Sequence, residues 1–133
     1  IPKNNIIVIK PGDIGVLKKT IRMIVKNGLC YVNLPNTSDY SELTKVLKGD
    51  SGSSILGELG FGFNPYSELC GRMLEDEGAF NTFHVGVGSN STIGGKNKSK
   101  SHIDFVSNRP TVLIDDKEID LWSRFTSREF NNE

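Results

Sequence analysis

The chain holds only two histidines, and each stands in a short run that reads as a β-strand: His84 in TFHVGVG and His102 in SHIDFV. In the second run His102, Ile103, Asp104 and Phe105 alternate polar and apolar, so a strand there turns the imidazole and the carboxylate to one face. Two imidazoles and a carboxylate from separate strands are what a divalent first-row ion takes, because both ligand types suit zinc, manganese, cobalt or iron(II). Two further acids stand in contexts that fit the same role, Glu58 in ILGELGFGF and Glu77 in LEDEGAF. With both of them there is enough carboxylate to bridge a second ion, and two ions ~3.5–4 Å apart clamp the attacking and leaving oxygens of a hydrolysis.

The spacing alone also admits a plainer reading. His84 fits a core histidine whose ring nitrogens bond to backbone, and LEDE fits the solvated end of a helix. Glu58 is harder to place in that way, since no lysine or arginine lies beside it in its apolar run. A carboxylate in such surroundings finds a cation or has its pKa raised. Other chemistries fit less well. GDSGSS (49–54) has the look of a serine-protease phrase but no suitably embedded partner histidine, and no G-x-S-x-G elbow occurs. GGKNKS lacks the spacing of a phosphate-cradling loop.

These residues need a scaffold, and the bulk numbers bound it. At 133 residues the chain is read as a single domain, 1–133, large enough to bury a core without staples. Sixteen basic and sixteen acidic side chains give zero formal charge and a pI near 6.9, so no long-range field selects a nucleic acid or an anionic membrane. The basic run GGKNKSKSH carries no aromatic residue on which bases could stack and is read as a solvated loop. No apolar run approaches the ~20 residues that span a bilayer. Cys30 and Cys70, each beside apolar residues, are expected as reduced and mostly buried thiols of a soluble cytoplasmic protein. The opening IPKNNIIVI enters a strand at once and has no initiator methionine, which reads as the C-terminal portion of a longer chain.

Along the chain, NNIIVI reads as a buried strand ended by KPGD. Asp13 is placed to cap a helix in which Ile14, Leu17, Ile21, Ile24 and Val25 recur, stopped by Asn27-Gly28. LCYVNLP reads as the next strand, and NTSDYSELTKVLKGD as a short helix capped at Ser38 or Asp39 and ended at Gly49. The middle third spaces its glycines along strand-like apolar residues, a texture that marks bulges or close approach to the backbone. Within it NPYSELCGRMLEDE reads as a helix capped near Asn64 or Ser67. PTVLIDDKEIDLW reads as a hairpin turning at Asp115-Asp116, and SRFTSREFNNE as a frayed helix or a terminus. The expected fold class is α+β, a mixed sheet with short helices and a C-terminal β-hairpin.

The order GELGFGFNP, LEDE, HVGVG, GGKNKS, HID and RPTVLIDD, spread over roughly residues 53–119, resembles the C-terminal part of the thermophilic metalloprotease family of aminopeptidase T type. That resemblance implies a metal-dependent aminopeptidase acting on peptide N-termini. Glu58 would be its bridging and catalytic carboxylate, and Glu77, His84, His102 and Asp104 the other ligands of zinc, cobalt or manganese. It further implies a homodimer that takes a peptide or small-molecule substrate. The chain departs from the family in two respects. Residues 1–50 contain only Glu42 where the family has a further ligand glutamate, and Ser91 stands where the family carries a tyrosine seven positions after the first histidine. The same resemblance reaches mononuclear iron(II) dioxygenases of dihydroxypyridines, for which His84, His102 and Asp104 alone would suffice. A non-catalytic metal-binding or dimerisation module is the third alternative.

Overall fold

The structure is a computed structural model that describes residues 5–9, 20–68, 70 and 73–123. Its first sheet comprises β1 (Asn5–Ile9), β2 (Ile21–Lys26) and β3 (Leu29–Asn33), paired antiparallel in that order. Residues 21–26 are therefore strand where the sequence suggested helix, and two local causes are visible. Ile21, Met23 and Val25 alternate toward the core while Arg22 and Lys26 are exposed, a period of two that outweighs the looser helical match of Ile21, Ile24 and Val25. Asn27 and Gly28 both adopt positive φ, 51° and 79°, and make the two-residue turn of a hairpin instead of a helix stop. Ile14 and Leu17, the other half of that expected helix, lie outside the described residues, as does the tail from residue 124.

After β3 a 3-10 turn, Ser38–Tyr40, leads into helix α1, Ser41–Leu47, which ends ahead of Gly49. The N-cap of α1 is Tyr40, not Ser38 or Asp39, and it makes no side-chain capping bond. Tyr40 and Leu47 turn inward against Ile21 and Met23.

The second sheet holds the middle third: β4 (Leu56–Gly62), β5 (Thr82–Gly88) and β6 (His102–Asn108), antiparallel with β5 in the centre. The Leu29–Ile55 bridge and the bonds Leu56 N–H to Gly28 O and Cys30 N–H to Ser54 O join the two sheets edge to edge. Val85, Val87 and Phe105 face the first sheet and are almost wholly buried. Burial of side chains of this size stabilises by ~1.5–3 kcal/mol each. Between β4 and β5 the chain makes an Asx-type turn, in which Asn64 Oδ1 accepts the Tyr66 N–H, and then a single helical turn, α2 (Met73–Asp76). Of the short helix expected over this stretch, the described residues show the single turn α2. A hairpin of β7 (Val112–Ile114) and β8 (Lys117–Ile119) follows, with Asp115 and Asp116 at φ 52° and 63°. Short aspartate side chains tolerate that left-handed conformation, so Asp-Asp serves where Asp-Gly is more usual.

The fold class is α+β with short helices and a C-terminal hairpin, as the sequence indicates. The described strands pair antiparallel throughout, with one isolated parallel bridge between Asn64 and Ala79. No helix among the described residues is long and apolar enough to cross a membrane. Cys30 is buried, and burial pushes its thiol up to about 11, whereas Cys70 is exposed, contrary to the expectation that both lie inside. Cys70 lies ahead of α2, where its thiol donates to Glu75.

Candidate metal centre

Register decides what meets on the face of β4–β5–β6 that points away from the core. Directly opposed residues of antiparallel strands share a face. One cross-strand row runs Glu58, Gly86, Asp104; the next runs Gly60, His84, Val106; a third pairs Gly88 with His102. The irregularity between Leu56 and Glu58, centred on Gly57, is a bulge that sets Glu58 on this face. Three strands thereby converge four polar side chains on one patch.

The glycines of the patch are what let the rings lie flat. A Cβ at Gly60 would stand 2.0 Å from Cε1 of His84, so that ring rests on the neighbouring strand where any side chain would displace it. A Cβ at Gly86 would meet His102 Cε1 at 2.7 Å, Glu58 Cβ at 2.8 Å and Asp104 Oδ1 at 2.9 Å. Gly86 is thus the floor of the cluster. The sequence marks these glycines only as places of close approach to the backbone, although a finer signal exists: in H-V-G-V-G and G-E-L-G, Gly86 and Gly60 stand two residues from His84 and Glu58, hence on their face.

The ligand-type atoms are close. Glu58 Oε1 lies 3.3 Å from His84 Nε2, and Glu58 Oε2 lies 3.5 Å from His102 Nε2. His102 Nε2 is 3.1 Å from each carboxylate oxygen of Asp104. Its other nitrogen, Nδ1, donates to the Ser89 carbonyl at 2.6 Å, which fixes the ring with Nε2 toward the acids. This is the outer contact by which metal-binding histidines are commonly oriented. Burial acts to lower the His102 pKa, but the Ser89 carbonyl and the Asp104 and Glu58 charges outweigh it and hold the pKa above its ordinary value. Among the described residues no lysine or arginine pairs with Glu58 or Asp104; both face imidazoles alone.

Ligand atoms of Glu58, His84 and Asp104 all lie within 4.8 Å of one another, so this group could hold a metal ion. The donor set and spacing fit one. Two ligands at ~2.1 Å from an ion stand ~3.0 Å apart at a right angle and ~3.4 Å apart at the tetrahedral angle, the range of the separations around Glu58 and His102. His84 is 7% exposed, and its Nδ1 is buried with no hydrogen-bond partner among the described residues. An unpaired buried ring nitrogen costs free energy, about 1–3 kcal/mol, and is not the backbone-satisfied core histidine of the plainer reading.

Glu77 is placed apart from this group. It lies in the turn after α2, half-buried, with its backbone carbonyl 3.5 Å from the Thr82 hydroxyl, and the close ligand group does not include it. Ser91 opens an exposed 3-10 turn, Ser91–Ile93, with its hydroxyl 3.3 Å from that of Ser89. Compared with protein-family models, with curated proteins and with solved structures, the chain matches none of them.

Proposed function

We propose that the patch is a divalent-metal centre and that the domain is hydrolytic, of the aminopeptidase type its sequence resembles, acting on N-terminal peptide bonds. The observation that supports this best is the meeting of Glu58, His84 and Asp104 within 4.8 Å, with His102 against both acids. Two carboxylates on one sheet face, with no lysine or arginine partner among the described residues, favour a cation there. When bound, the ion, by class zinc, cobalt or manganese, supplies a water of lowered pKa and a Lewis acid for the peptide carbonyl.

The roles of the four side chains follow from their exposure. Asp104 and His84, 8% and 7% exposed, are fixed holders. Glu58, whose side chain is 27% exposed, is the carboxylate that reaches entering solvent and accepts its proton. His102, its ring set by Ser89, presents Nε2 from the open side. A second reading is a mononuclear iron(II) oxygenase held by His84, His102 and Asp104; it draws support from the single close group among the described residues, with Glu77 outside it, although that group joins Glu58 and not His102 to His84 and Asp104.

Metal analysis combined with turnover tests these readings. The purified protein is reconstituted with zinc, cobalt, manganese or iron(II) and assayed for release of N-terminal residues from unblocked and blocked peptides. Cleavage only of unblocked peptides, lost in Glu58→Gln, is the expected result. One iron with oxygen consumption would replace the hydrolytic reading by the oxygenase, and no uptake of any ion would remove both.

A further inference from the structure

The connection from β5 to β6, residues 89–101, is bonded far more closely than a mere link requires. Asn90 Nδ2 donates to the Gly57 carbonyl at 3.1 Å, and Asn90 Oδ1 accepts the Asn97 N–H at 3.0 Å. The Asn90 backbone is held as well, its N–H on Asn97 O and its carbonyl under the Gly95 N–H. A Cβ at Gly95 would lie 2.1 Å from the Asn90 side-chain amide, so glycine is required there for Asn90 to occupy its place. Asn97 in turn spans the Gly52 and Gly88 carbonyls with one amide nitrogen, at 3.0 and 2.7 Å.

These bonds end on the two backbone points that aim the candidate ligands. Gly57 is the bulge that brings Glu58 onto the site face, and Ser89, the residue before Asn90, offers the carbonyl that orients His102. Resting on the reading of the patch as a metal centre, we propose that Asn90 is a positioning residue for it. A single amide fixes the bulge under Glu58 and closes the loop whose Ser89 carbonyl sets the His102 ring, so the two ligands from different strands are aligned by one side chain. Contacts that hold a ligand ring directly, as the Ser89 carbonyl holds His102, govern metal affinity by ~10–100-fold where they have been cut, and Asn90 stands one step behind that contact.

The test uses the full chain, with zinc affinity from chelator competition and the visible absorption of the cobalt(II)-loaded protein. Asn90→Ala and Asn90→Asp are compared with Ser99→Ala, which cuts bonds of the same loop to Asp50, Ser53 and Ser101 but none to Gly57 or to the Ser89 carbonyl. The Asp variant keeps an acceptor for Asn97 and loses the donor to Gly57. The expected result is zinc binding weakened at least ~10-fold and altered cobalt bands in both Asn90 variants, with Ser99→Ala near wild type. Folded Asn90 variants with wild-type affinity and an unchanged cobalt spectrum would overturn the positioning role. Should neither Asn90 variant fold, ring 15N resonances of zinc-loaded wild type decide: Nδ1 of His102 protonated and Nε2 on the ion supports the role, and Nδ1 on the ion overturns it. Wild-type protein that takes up neither zinc nor cobalt is a different outcome, in which the metal-centre reading fails and the positioning role falls with it.

Discussion

The two faces of the β4–β5–β6 sheet come from the same three strands and have opposite characters. One carries Val85, Val87 and Phe105 into the core. The other carries Glu58, His84, His102 and Asp104 over glycines at 60, 86 and 88. Residue parity, shifted once by the bulge at Gly57, makes the difference, since a strand alternates its side chains between faces. The core face has shape-filling side chains in rows, and the site face has no side chain at all where a ring must lie. Apolar burial on one face thus holds the strand register that keeps two like charges adjacent on the other.

The largest expected effect is on the core face. Phe105→Ala should cost ~3–5 kcal/mol in urea unfolding, as large-to-small changes at buried aromatics do. A loss under ~1 kcal/mol would mean that Phe105 does not pack as described. On the site face the effect should depend on metal. Zinc at ~100 times its Kd should stabilise the wild type by ~2.7 kcal/mol, while Glu58→Gln should lose that increment and remain within ~1 kcal/mol of wild type without metal. Gly60→Ala sharpens the contrast, because a Cβ 2.0 Å from the His84 ring must push the ring aside. It should lower stability by ~1–3 kcal/mol and weaken zinc binding, measured on the same preparation.

Acid should act at a third place, the tie between two distant loops. Asp50 accepts from the Lys100 N–H, which chiefly holds its pKa down to about 2 against the opposing effect of burial, with Ser99, Gly52 and Ser53 assisting. Because the folded value is depressed, the Asp50 contribution is present above the ordinary aspartate range near ~3.9 and is lost as pH falls toward 2. The stability difference between wild type and Asp50→Asn should be level above ~pH 5 and vanish toward pH 2. The smallest effect is a labelling pattern: in folded protein a thiol reagent near pH 8 should modify exposed Cys70 and leave Cys30, whose thiol burial holds near 11, untouched.

Much of the second sheet was legible because its signals are local. The H-x-D alternation became β6, TFHVGVG became β5, and the glycines of GELGFGF marked a bulge and close approach. The first sheet was half legible, since Ile21–Lys26 matches both a helical and a strand period, and the closer fit to a period of two and the Asn27-Gly28 turn separate them. Contacts between residues some fifty positions apart, such as Asp50 with Ser99 and Lys100, leave no periodic trace and were not foreseen. The LEDE motif and the resemblance put Glu77 among the ligands; its place depends on how the single turn of α2 packs, which no spacing encodes.

X-ray absorption of the zinc-loaded protein tests the central claim most directly, because it reports the ligand types around the ion itself. The expected spectrum shows nitrogen and oxygen neighbours at ~2.0–2.1 Å with outer-shell scattering from two imidazoles, reduced to one in His84→Ala. Sulfur at ~2.3 Å, or an oxygen shell without imidazole, would place the ion elsewhere and contradict a centre built on His84, His102, Asp104 and Glu58.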